Sequence, residues 1–138
     1  MLHNRFGNAD MAELTLDIWH RVYVNKGGGT RHDPLYVGFS VMGSREPEIM
    51  QMDTFMGTIA AIQDMFVYPL NGELHLMSGC TKRWRSVAMR GIVCPFGFTA
   101  DLVRSEKDGT KITVTATHDA MLKAVLPEPE KCGVSTSG

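Results

Sequence analysis

Asp53 is the residue of this chain whose surroundings point most directly to chemistry. It stands among Met50, Met52, Phe55 and Met56, and a carboxylate in such company either faces a cleft or costs several kcal/mol to bury unpaired. As a general base it would activate water against a carbonyl, while the free amides at a helix start polarise the oxygen. Its bland alternative is a thin solvated stripe shared with Gly57 and Asp64. Glu48, one turn earlier, is a substitute base, and its own alternative is a favourable charge at the positive end of a helix dipole. Lys82, Arg83, Arg85 and Arg90 surround Trp84, a set that could hold phosphates while the indole stacks on a purine. The competing reading is a solvated strand with an apolar face. The same charges could meet nucleic acid, but a net charge of −1 lacks the excess Lys and Arg that such binders use, so nucleic acid is not an expected partner.

The other reactive residue types form no recognisable set. His32–Asp33 and His118–Asp119 bring no nucleophile to a base, and His20 and His75 fall in strand-like segments. The three cysteines, Cys80, Cys94 and Cys132, cannot all pair within one chain and form no C-x-x-C. With His75 they have no zinc spacing, so no metal and no cofactor is called for. Gly27, Gly28 and Gly29 are not followed by a helix and lack the geometry of a phosphate-binding loop. The ten methionines suit an adaptable core, and equally a pocket for a long acyl chain.

These side chains need elements to aim them. At 138 residues, 43% apolar and 21% charged, the chain has the size and balance of one globular domain, read as residues 1–126 followed by a tail over 127–138. Residues 14–24 alternate with period two and predict a strand, although Asp10 with Glu13 is a helix-start signature. A glycine-rich loop over 25–34 leads to a second alternation at 35–41. Ser44 to Pro47 marks a helix entrance. Residues 49–66 then carry apolar side chains at helical spacing around most of the circumference, which predicts a largely buried helix, and Gly57 in its middle suggests a close backbone neighbour. Beyond the Pro69–Asn71–Gly72 turn the chain reads as strands at 73–78, 80–89, 96–104 and 110–120, the last two joined by the hairpin signal at Lys107–Asp108–Gly109. Residues 120–125 add a short strand or turn. Residues 1–10 hold no apolar signal core, and the longest apolar run, 55–62, is far below the ~20 residues of a membrane span, so a cytoplasmic protein without a membrane span is expected.

Strands, one long apolar helix and three or four more strands describe an α+β fold with a curved antiparallel sheet wrapped around a central helix. This pattern over residues 14–125 resembles the hotdog fold of acyl-thioester enzymes. The stretch 76–91, with its basic and aromatic cluster before Gly91, is similar to that family's strand after the helix, and 98–120 to its closing hairpin. The resemblance implies an acyl-thioester hydrolase acting on an acyl-CoA or acyl-carrier substrate, with Asp53 or Glu48 as the acid on or near the helix. Arg83, Arg85, Trp84 and Gly57 would then contact the substrate, and subunits would join as a homodimer or dimer of dimers. A dehydratase of the family would carry a histidine before the helix, and residues 43–47 have none. Two readings from other classes stand beside it. One is a non-catalytic, β-rich self-assembling or partner-binding module, as in matrix or shell components; the other is a binder of small apolar ligands.

Overall fold

The computed structural model describes residues 1–24, 26–27, 29 and 52–135. Glu48, His32, the alternation at 35–41, the helix entrance at 44–47 and residues 49–51 of the expected helix lie outside the described residues. Among the described residues three helices precede the strands: α1 (Leu2–Arg5), α2 (Ala9–Tyr23) and α3 (Met52–Phe66).

The strand expected at 14–24 is the body of α2. Asn8 caps it, its side chain accepting the Met11 amide at 3.1 Å, and Asp10 in the first turn with His20 and Arg21 in the last complement the dipole. Arg21 also pairs with Asp17 one turn back at 2.9 Å. The alternation of Leu14, Leu16 and Ile18 coexists with a helical row, Ala12, Leu16 and Trp19, that faces inward. Capping and charge order decide between the two periods, because a helix this long in Ala, Met, Glu and Leu forms readily once its first amides are satisfied.

Helix α3 runs without a break into β1 (Val67–Leu70), which pairs antiparallel with β2 (Glu73–Leu76) from Val67↔Leu76 to Leu70↔Glu73. Asn71 and Gly72, both at positive φ (52° and 77°), form the two-residue turn between them, the backbone geometry that Asn-Gly adopts without strain. After a turn at 77–86 come β3 (Val87–Cys94), β4 (Phe98–Ser105) and β5 (Gly109–Ala116), an antiparallel meander in that order. Strand β3 is irregular between Met89 and Ile92, where Gly91 sits at φ 65° and donates its N–H to Asp101 Oδ1 at 2.7 Å. Last, β6 (Ala124–Val125) adds parallel to β2.

The protein is therefore α+β, but in place of the single wrapped sheet expected from the sequence the described residues form two three-stranded sheets, β1-β2-β6 and β3-β4-β5. No described helix is long: α2 and α3 have 15 residues each. The core lies between the sheets and the C-terminal end of α3, where Phe66, Leu74, Leu76, Met77 and Leu102 are the largest fully buried apolar side chains. Earlier turns of α3 do not share in it. Met52, Phe55, Met56 and Ile59 are exposed, so burial around the whole circumference is corrected to burial of one side and one end. No described heavy atom lies within 4 Å of where a Cβ on Gly57 would sit, and the close backbone neighbour expected there is absent among the described residues.

Candidate functional site

The turn at 77–86 carries the basic cluster, and the fold ties it down. Met77 donates its amide to Phe66 O at 2.6 Å, Gly79 to Met65 O at 3.0 Å and Cys80 to Met77 O at 3.1 Å, which fixes the turn against the end of α3. Thr81, buried, donates its hydroxyl to the Glu13 carboxylate of α2, and the Arg83 amide donates to Thr81 Oγ1 at 3.2 Å. Arg83 Nε meets the other oxygen of Glu13 at 3.2 Å, and Arg104 Nη1 donates to Thr81 O at 3.0 Å. Arg85 pairs with Glu106 at 3.4 Å. Trp84 is half-buried and stands edge-on to Phe66, ring centroids 5.4 Å apart at 82°. Its indole therefore packs on the core. Arg83 and Arg85 are each engaged by a carboxylate, and Lys82 and Arg90 are exposed.

Above this turn a groove of about 290 Å³ opens between α2 and α3, lined by Leu16, Trp19, Ile62 and Trp84 with Glu13, Asp17, His20 and Arg83 at its edges. Two of the sequence-expected substrate residues, Arg83 and Trp84, meet here. Asp53 and Gly57 do not: both are exposed on the first turns of α3, and Asp53 does not line the groove. Glu13 reads in the sequence only as part of a helix start, because its role here depends on Thr81 and Arg83, 68 and 70 positions away.

A second polar cluster holds α1 against the fold. Asn4 is fully buried and Asp64 nearly so. Asn4 Nδ2 donates to the Asp64 carbonyl and, at 3.3 Å, to its carboxylate, while Arg5 Nη2 meets Asp64 Oδ1 at 2.7 Å. The hydrogen bond to Asp64 comes first in raising the Arg5 pKa. Asp64, grouped in the sequence with a solvated stripe, is thus a buried anchor. Arg5 also lies 5.7 Å from the Tyr68 ring centroid, and Tyr68 stacks on His75 with centroids 4.6 Å apart. Burial pushes the Tyr68 phenol up, against a hydrogen bond with Ser78. Glu73, hydrogen-bonded to Lys123, is held below the usual carboxylate range. These contacts bind elements together.

The two buried thiols are quiet. Burial drives Cys80 up to about 12 and raises Cys94 as well, so neither is a nucleophile near neutral pH. Among the described residues no three His, Cys, Asp or Glu side chains converge to hold a metal ion, and no helix is long and apolar enough to cross a membrane.

The most prominent open feature is apolar. On α3, Met52, Phe55, Met56 and Ile59 recur at i, i+3, i+4 and i+7 along the exposed side, while Thr54 and Thr58 are half-buried. The Thr58 hydroxyl turns back to the Thr54 carbonyl at 2.8 Å. The usual arrangement of a surface helix, apolar in and polar out, is inverted over these two turns. Helix α2 is apolar on both sides, with Met11, Leu14 and Ile18 outward and Ala12, Leu16 and Trp19 inward.

No family model, curated protein or solved structure matches the chain.

Proposed function

We propose that the chain is a non-catalytic, self-assembling module whose helices α2 and α3 present an apolar face to a protein partner. The observation that carries this reading is the inverted α3: large apolar residues outward and threonines inward are unfavourable in water and favourable once a partner covers the outer side. The engaged state of the basic cluster supports it too, since Arg83 and Arg85 already meet Glu13 and Glu106 and Trp84 packs on Phe66. Light scattering on the eluting protein tests the reading. A mass above that of one chain is expected, and a Phe55→Ser/Ile59→Ser variant should lower it without loss of helix content. A single-chain mass for the unaltered protein at high micromolar concentration would end the proposal.

A second reading has one observation in its favour. Asp53, in the first turn of α3 beside Met52, Phe55 and Met56, has a carboxylate next to a surface that an acyl chain could cover. In a hotdog arrangement the partner subunit would complete that cleft, and Asp53 would activate water against an acyl-CoA or acyl-carrier thioester. Free-thiol release over several acyl lengths tests it, and no turnover of any of them by the assembled protein would remove it.

A further inference from the structure

Resting on the assembly reading, we infer that the partner is a second copy of this chain, with the outer stripe of α2 lying antiparallel on the outer stripe of α3 of the neighbouring copy. The two stripes match in length and spacing. Met11, Leu14 and Ile18 fall at i, i+3 and i+7 of α2, and Met52, Phe55, Met56 and Ile59 at i, i+3, i+4 and i+7 of α3. That is the spacing with which one helix sets its side chains into the gaps of another. Ala60, exposed at the border of the α3 stripe, leaves room for the approach.

Charge sets the direction. Asp53 opens the α3 stripe, Asp10 precedes the α2 stripe and Arg21 follows it, all three exposed. A parallel pairing would set Asp10 beside Asp53, two like charges. An antiparallel pairing sets Arg21 beside Asp53 and Asp10 beside Gln63. The pair that Arg21 now makes with Asp17 is a solvated i, i+4 contact, of the weakest class of ion pair, so it does not oppose the exchange.

The area is adequate. The seven stripe residues are 38–61% exposed, and at roughly 200 Å² for a fully exposed large side chain they offer about 700 Å² of apolar surface per chain. A stable interface covers about 800 Å² on each partner, part of it polar.

Sedimentation of the full chain and its variants over a dilution series tests the inference, with circular dichroism to verify helix content. Ile18→Glu on α2 and Ile59→Glu on α3 should each weaken association by roughly ten- to a hundredfold. Arg21→Asp and Asp53→Arg should each weaken it by about three- to tenfold, and the double exchange should restore it. That rescue is the decisive readout, because damage to either helix alone would add in the double variant. Assembly that survives both glutamate variants would overturn this pairing and leave the assembly reading intact, with a strand edge such as β5 the seat of contact. Loss of assembly in the glutamate variants without rescue by the exchange would overturn the antiparallel arrangement. An unaltered chain that stays monomeric would overturn both, and if it then floats with phosphatidylcholine vesicles, the stripes belong to a lipid surface.

Discussion

Alanine at two glycines should shift stability in opposite directions. Gly79 is buried in the turn after β2, where its amide donates to Met65 O at 3.0 Å. A Cβ there would overlap Asn4 Oδ1 and lie 2.7 Å from Met65 Cα. Asn4 can withdraw only by giving up its donations to Asp64, and the Met65 Cα is backbone at the buried end of α3, so neither neighbour yields at small cost. Overpacking of this kind costs about 1–3 kcal/mol, and unsatisfying the buried amide of Asn4 adds about 1–3 kcal/mol, so Gly79→Ala should destabilise by roughly 2–6 kcal/mol. Gly57 lies in the interior of α3 with nothing described within 4 Å of its Cβ position, so Gly57→Ala should stabilise by about 0.5–1 kcal/mol through lower backbone entropy in the unfolded chain. Urea unfolding of the two variants and the parent, compared by midpoint at constant slope, reads both effects. A neutral Gly79→Ala would refute the docking of α1 through Asn4. A destabilised Gly57→Ala would mean that a neighbour packs on that side of α3 after all.

Three further outcomes follow from the same contacts. Glu13→Ala, which deprives buried Thr81 of its acceptor and Arg83 of its partner, should cost about 1–3 kcal/mol and shift the fluorescence of Trp84, with urea unfolding and emission spectra as the checks. Because burial raises the Cys80 pKa from 9.0 to about 12, the unfolded chain loses that proton first as pH rises. The contribution is therefore fully present below pH 9.0 and lost as pH climbs towards 12, and Cys80→Ala should flatten the alkaline fall in stability. On the hydrolase reading, Asp53→Asn should keep the fold and lower thioester turnover by about 10²–10⁴-fold, and an unchanged rate would exclude Asp53 as the base.

What the sequence made legible was mostly local. The hairpin at Lys107–Asp108–Gly109 forms as its turn chemistry dictates, with Ser105 Oγ accepting the Asp108 amide at 2.9 Å, and β4 and β5 follow from alternation beside it. Helix α3 was visible in its spacing. Its orientation was not, because Phe55 and Ile59 read as core by composition, and only tertiary context turns them outward. Helix α2 was misread because Leu14, Leu16 and Ile18 satisfy period two while Ala12, Leu16 and Trp19 satisfy the helical period; the Asn8 cap, two residues ahead of the Asp10 signature, was the missed clue. The chain leaves one sheet for the other between β2 and β3, and β2 takes β6 as its second neighbour through a pairing of two residues at a separation of 50, which no local pattern encodes. Of the candidate site, Arg83 and Trp84 were placed beside a groove. Their partners Glu13 and Phe66 come from distant segments, and a basic cluster in a sequence gives no sign of the carboxylates that will neutralise it.

Whether another protein chain covers the outward apolar sides of α2 and α3 is read from the sedimentation velocity of the unaltered protein beside Ile59→Glu at the same concentrations. The unaltered chain should sediment as a faster, concentration-dependent species and the variant as a slow, single-chain species at equal helix content. Two superimposable single-chain boundaries at high micromolar concentration would contradict it.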